Sequence, residues 1–130
     1  MSDETMTIRQ MCDAFDVTPR ALRFYEAKEL LAPQRRGTAR LFTRTDRARL
    51  KLILRGKRFG FSLEDIRQIL DLYSHDGANQ AQLTRCYTLG QQRLTQMAAQ
   101  RAELDAAIAE LKVELEAGAA MIAGFAHAAE

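Results

Sequence analysis

Apolar residues recur along the first half of the chain at helical spacing, in short runs separated by turn residues. Ile8, Met11, Cys12 and Phe15 stand at i, i+3, i+4 and i+7, one face of a helix over residues 7–15, and Thr7 with Gln10 supplies a capping box at its start. Asp16 and Val17 make a tight turn. Thr18 then caps a second helix from Pro19 to about Lys28. Pro stands at its first helical position, where the missing N–H has no intrahelical partner to lose. Ala21, Leu22, Phe24 and Tyr25 are its apolar anchors. Residues 30–42 change character: Pro33 ends any helix, Gly37 marks a turn, and Leu41 and Phe42 follow, which predicts a small β-hairpin. Thr43 and Asp46 form a second capping box, for a helix to about Phe59 whose inner face is Leu50, Ile53 and Leu54. Gly60, Phe61 and Ser62 break it. Ser62 and Asp65 cap a fourth helix from Leu63 to about Tyr73, with Leu63, Ile66, Ile69, Leu70 and Tyr73 facing inward. The polar stretch 74–80, SHDGANQ, is the one clear linker.

Beyond the linker the period changes. Leu83, Tyr87, Gly90, Leu94, Met97, Arg101, Leu104, Ile108, Leu111 and Leu115 follow one another at alternating steps of four and three, a heptad seam with faults at Gly90 and Arg101. At ~1.5 Å per residue this helix is roughly 50 Å long. The preceding residues make a body only about 30 Å across, too small to cover it. The stripe therefore calls for a partner helix, most simply a second copy of the chain. The remaining residues, GAAMIAGFAHAAE, are small and apolar; they form either a short return segment on the dimer helix or a partly disordered tail. The resulting plan is mainly α: residues 6–74 as a winged helix-turn-helix domain, 80–116 as a dimerisation helix and 117–130 as a short C-terminal tail.

Charge sharpens this plan. Net charge is only +2, but residues 20–58 hold thirteen Lys/Arg against three Asp/Glu, while residues 74–130 hold four against seven. A basic half followed by an acidic half fits a polyanion-binding module joined to something else, although a solvated charged face gives the same count. Arg20 and Arg23 lie three apart at the start of the second helix, so they project from one face. The first residues of a recognition helix are the ones that reach base edges in a DNA major groove. Arg35, Arg36 and Arg40 flank the hairpin turn, where they suit phosphate contacts.

Other chemistry is sparse. Cys12 and Cys86 are the only cysteines, with no metal-ligand spacing, and Cys12 fits a small buried hydrophobe. No phosphate-binding glycine loop, zinc-protease or hydrolase motif appears, and the two histidines, His75 and His127, lie far apart. The expectation is a cytoplasmic protein that is not an enzyme, without a cofactor, a metal or a membrane partner.

The stretches TPRALRFYE, LLAPQRR, ARLF and DRARLKLILRGKRFGFSLEDIRQIL, in this order before a long helix, resemble the MerR family of bacterial transcription regulators over about residues 6–115. The run LKLILRGKRFGFSLEDIRQIL resembles more narrowly the LiuR/GnyR subgroup, associated with branched-chain amino acid and acyclic terpenoid catabolism. The resemblance implies an antiparallel coiled-coil homodimer that binds a pseudo-palindromic promoter spacer and distorts it for RNA polymerase. Carried over by position, Arg20 and Arg23 enter the major groove beside the Thr18 cap. Tyr25, Arg36 and Arg40 lie at the DNA backbone with Phe42 supporting the wing, and Arg55 and Lys57 are further candidates on the next helix. Leu83, Tyr87, Leu94, Met97, Leu104, Ile108, Leu111 and Leu115 form the dimer seam.

The chain also departs from the family pattern. Glu29 stands where the family usually has Gly, and if that position needs φ > 0 the exchange costs roughly 1 kcal/mol. The cysteines near the start of the long helix and after its end that mark the family's metal sensors are not matched, and two cysteines exclude a four-cysteine iron–sulfur site. The subgroup implies a small-molecule effector of acyl-CoA type, with Tyr73, Tyr87, Met121 and Phe125 as candidate lining, although ordinary packing explains the same residues. Two alternatives stand beside this reading: a thiol or metal sensor on the same scaffold using Cys86 with His75 or Cys12, and an adaptor that does not bind DNA.

Overall fold

In the computed structural model, residues 4–74 and 79–129 are described. The chain divides into two compact units, Met1–Leu89 and Gly90–Glu130. The first contains β1 (Met6–Thr7), α1 (Ile8–Phe15), α2 (Pro19–Ala27), β2 (Gln34–Arg36), β3 (Ala39–Phe42), α3 (Arg44–Phe59), α4 (Leu63–Ser74) and the start of α5 (Gln80–Ala128).

Capping chemistry sets the helix starts as the sequence predicts. Thr7 and Gln10 bond reciprocally across the first turn of α1, the Thr18 hydroxyl accepts from Ala21 N–H at 3.1 Å, and Thr43 and Asp46 close the box on α3. Ser62 accepts from Asp65 N–H at 3.1 Å ahead of α4. Asn79 and Gln82 make a further reciprocal pair before α5, with bonds of 2.8 and 3.2 Å.

The helix ends use left-handed residues. Asp16 closes α1 at φ 53°. Gly60 closes α3 at φ 80°, where its N–H bonds to Lys57 O and Phe61 N–H bonds to Gly56 O. The same pair of bonds closes α2, from Glu29 N–H to Glu26 O and from Leu30 N–H to Tyr25 O, with Glu29 at φ 62°. This is the glycine-type helix ending, and at α2 it is made by a glutamate.

One core unites α1 to α4 with the hairpin: Met11, Leu22, Tyr25, Leu30, Leu31, Phe42, Leu50, Ile53, Ile66 and Leu70 are all buried, with Ile8, Cys12 and Phe15 packed against them. Two details differ from the sequence expectation. Phe24, read as an anchor of α2, is 45% exposed, because Leu22 and Tyr25 take the inward positions. A third strand, β1, pairs with β3 (Met6 opposite Phe42, Thr7 opposite Leu41), giving the sheet order β1-β3-β2. Two residues are too short a run to show a period of two.

The second unit is helix α5 from Gly90 onward, and none of its described residues is buried. The expected end near Leu115 is not observed: α5 continues to Ala128, so residues 117–128 are neither a return segment nor an irregular tail. The physical reason is composition. The stretch is rich in alanine, the best helix former, holds no proline, and its two glycines each cost only about 1 kcal/mol.

Candidate nucleic-acid interface

Helix α2 and the β2–β3 hairpin bring the predicted basic residues together within the first unit. Arg20 and Arg23 are exposed on α2, and neither makes an ion pair among the described residues. Thr18 is exposed at the helix start, its hydroxyl engaged in the cap. The hairpin turns at Gly37, φ 64°, between Arg36 and its opposite residue Ala39. A two-residue turn with positive φ matches the twist of the strands and needs glycine. Arg36 is therefore carried at the exposed tip.

Arg35 and Arg40 face each other directly across β2 and β3. Like charges in that position repel. A carboxylate from α2 resolves the conflict: Glu26 Oε1 accepts from Arg35 Nη2 at 3.0 Å, and its Oε2 accepts from Arg40 Nε at 2.6 Å. Sequence reading missed Glu26. Its only signal was being one of three acids in a stretch of thirteen basic residues.

The other two acids are also structural. Asp46 is 2% exposed; its Oδ1 accepts from Ala32 N–H at 2.9 Å, and its Oδ2 accepts from Thr43 N–H at 2.9 Å and the Thr43 hydroxyl at 3.1 Å. Glu29 is the left-handed residue ending α2. Some of the basic residues serve the fold as well. Arg47 donates to Glu4 O and Phe42 O, Arg49 to Leu30 O, and Arg67, on α4, to Lys28 O.

Tyr25, expected at the DNA backbone, and Phe42, expected to support the wing, both lie inside the fold. The Tyr25 ring belongs to the core at 2% exposure, edge-on to Phe24 and 5.9 Å from the Lys57 ammonium. Phe42 is fully buried beneath the hairpin. Both hold the reading surface from below; an α2 residue every third or fourth position must face inward for the helix to dock. Lys57 and Arg55 are exposed on α3. Thr18, Arg20, Phe24, Tyr25 and Lys57 line a cleft of about 470 Å³ together with Ala21, Phe61, Leu63 and Ile66, so the start of α2 meets the end of α3 and the start of α4 there.

The thiols form no centre. Burial pushes the Cys12 thiol above its ordinary value, Asp13 adds to this and Arg23 opposes it. Cys86 is half-buried beside Gln68, Asp71, Leu72, Gln82 and Arg85. Among the described residues no three His, Cys, Asp or Glu side chains are placed to hold a metal; His75 lies outside them. The side chain of Tyr73 also lies outside the described residues.

Along α5 the expected seam is exposed: Leu83 51%, Leu94 67%, Leu104 61% and Leu115 63%, with Tyr87, Met97, Ile108 and Leu111 between them. Because the helix continues, the alternation of four and three continues too, through Gly118 and Ile122 to Phe125. Phe125, expected beside an effector, thus falls on the seam, whereas Met121 falls off it. No helix of the described residues is long and apolar enough to cross a membrane.

A helix-turn-helix with exposed arginines on its second helix, in no ion pair among the described residues, backed by an arginine-tipped wing, defines a DNA-binding module. Residues 6–73 match the family described as MerR HTH family regulatory protein, and residues 47–113 match MerR, DNA binding. The chain belongs to the MerR family and is a DNA-binding transcription regulator. It is 33% identical over 99 residues to the HTH-type transcriptional regulator ZntR of Escherichia coli (strain K12), covering 75% of this chain and 69% of that protein. It is 33% identical over 69 residues to HmrR of Rhizobium leguminosarum bv. viciae, covering 52% and 54% of the two chains. Among solved structures, HiNmlR, a MerR family regulator lacking the sensor domain and bound to promoter DNA, superimposes with a TM-score of 0.60 at 25% identity, covering 78% of this chain and 76% of that one. A MerR family regulator from Bacillus cereus gives 0.60 at 28% identity, covering 78% and 75%.

Proposed function

We propose that the chain acts as a homodimer that grips a pseudo-palindromic promoter spacer and distorts it, so that RNA polymerase meets realigned promoter elements. Arg20 and Arg23 read base edges, while Arg35, Arg36 and Arg40 clamp the backbone and Arg55 and Lys57 add charge. The observation that carries this reading is that Arg20 and Arg23 are exposed on the second helix of the pair with no acidic partner among the described residues. Two arginines three residues apart on one helix face cost repulsion unless an anion answers them. The binding of HiNmlR to promoter DNA supports a promoter as that anion.

The second arm comes from a second copy. An exposed heptad seam is unstable alone in water, and antiparallel pairing buries it while setting a fixed distance between two reading helices. Bending DNA between them costs on the order of 1–6 kcal/mol, which contacts on both arms offset.

The regulon rests on the narrower likeness to the LiuR/GnyR subgroup: a catabolic operon for branched-chain amino acids or related acyl-CoA compounds, with an acyl-CoA thioester as effector. Thermal shift against a panel of acyl-CoAs tests that part, and no shift with any of them removes it.

Footprinting and salt-dependent binding test the DNA reading. Replacing Arg20 or Arg23 by Ala costs roughly 1–3 kcal/mol and relaxes base preference, whereas Arg36→Gln weakens all sequences alike and lowers the salt slope by about one. Equal loss on every sequence for Arg20→Ala and Arg23→Ala would assign both to phosphate and refute their role in base reading.

A further inference from the structure

We infer that Glu26 is a specificity-determining positioning residue, an internal stand-in for phosphate that limits how the wing arginines engage DNA. The inference rests on the DNA reading above and adds a residue to it. Glu26 stands on the recognition helix, and its carboxylate spans the two strands of the wing, 3.0 Å from Arg35 Nη2 and 2.6 Å from Arg40 Nε. The Glu26 and Arg40 side chains are 20% and 24% exposed, and Arg35, at 50%, forms the open side of the site. Carboxylate and phosphate oxygens both accept charge-assisted hydrogen bonds from guanidinium.

Two consequences follow from the chemistry. First, the contact couples reading helix to wing. Arg40 spends its Nε on Glu26, leaving its two terminal nitrogens free among the described residues, and Arg35 spends one terminal nitrogen. Each guanidinium carries five donors, so both keep a fork for a backbone phosphate while held in one orientation. Second, the carboxylate cancels one of the two positive charges. Non-specific affinity is set almost wholly by the count of cations that displace counterions. A glutamate here lowers the affinity for any duplex. On the cognate duplex it offsets that loss by holding the wing in register with α2.

The test compares wild type, Glu26→Gln and Glu26→Asp. The probes are a duplex selected by the wild-type chain from a random-sequence library and a scrambled duplex of the same composition, across a salt series. Glu26→Gln is expected to bind the scrambled duplex about tenfold tighter, with a steeper salt dependence, and to gain nothing on the selected duplex, so discrimination falls about tenfold. Glu26→Asp keeps the charge but is one methylene shorter and cannot span both arginines. It is expected to bind the scrambled duplex as wild type does and to lose discrimination on the selected one. A tenfold gain by Glu26→Gln on both duplexes alike would reduce Glu26 to bulk charge and overturn the proposal, as would wild-type discrimination in both variants. Circular dichroism checks folding; if Glu26→Gln does not fold, discrimination by Glu26→Asp decides alone. Failure of the wild-type chain to select any duplex would instead sink the DNA reading, and the proposal with it.

Discussion

Gly56 lets Ile66 lie against the backbone of α3: a Cβ at position 56 would fall 2.7 Å from Ile66 Cγ1 and 3.1 Å from its Cδ1. This close approach seats α4 on α3, and α3 and α4 meet α2 at the cleft that holds the reading helix. Gly56→Ala therefore sets two effects against each other. Alanine gains about 1 kcal/mol of helix propensity. Overpacking against the branched Ile66 costs about 1–3 kcal/mol. We expect net destabilisation, read as a lower urea midpoint at unchanged slope. Gly56→Ala combined with Ile66→Ala should be destabilised by less than the sum of the two single changes, since the small residue at 66 makes room.

Asp46 joins three segments through one buried carboxylate: the α2–β2 connection at Ala32, the end of β3 at Thr43, and its own helix. Asp46→Ala leaves the part-buried N–H groups of Ala32 and Thr43 without their acceptor, at about 1–3 kcal/mol for each where water does not replace it. A loss of about 3 kcal/mol in chemical denaturation is expected. Asp46→Asn should lose less, because one carbonyl oxygen still accepts. Equal stability of wild type and Asp46→Ala would mean that solvent satisfies these groups.

Glu29→Gly should stabilise the chain by about 1 kcal/mol, since φ 62° is strained for an L side chain and free for glycine. The control is Gly60→Glu, which places the same strain at the matching position after α3 and should destabilise by a similar amount. Calorimetric melting of both variants checks the pair of signs.

Ile122→Asp should loosen self-association at least about 100-fold, because burying an aliphatic side chain is worth about 1.5–3 kcal/mol and a symmetric dimer loses it twice. Met121→Asp, one position off the seam, should change it little. Sedimentation at micromolar concentration separates the two. Equal effects at 121 and 122 would mean that the seam ends before Ile122 and that α5 pairs only over its earlier heptads.

Much of the fold was legible because its signals are local. A capping hydroxyl and its target N–H lie three residues apart, a helical face repeats within seven, and a proline at the first helical position reports on its own backbone. α1, α2, α3 and α4 therefore begin where Thr7, Thr18, Thr43 and Ser62 say they do. Arginines were legible as a group and not individually. Nothing in the chain distinguishes Arg49, spent on Leu30 O, from Arg55, exposed on the same helix. The end of α5 was not legible, because the large apolar residues of the seam give way to alanine and glycine after Leu115 while the helix runs on to Ala128. Helix propensity continues through such residues even where the stripe thins.

Taken alone, the chain determined the starts of the first four helices, the hairpin turn, the basic first half and the heptad period, since each depends on neighbours a few bonds away. Folding decided the rest. It chose which of Phe24 and Tyr25 turns inward, placed Gly56 beneath Ile66, and closed Asp46 onto Ala32. It also brought Glu26 between two arginines nine and fourteen residues distant. Those contacts join segments whose separation only packing sets, and a carboxylate's partner depends on what packing brings within 3 Å, not on what lies next to it in the chain.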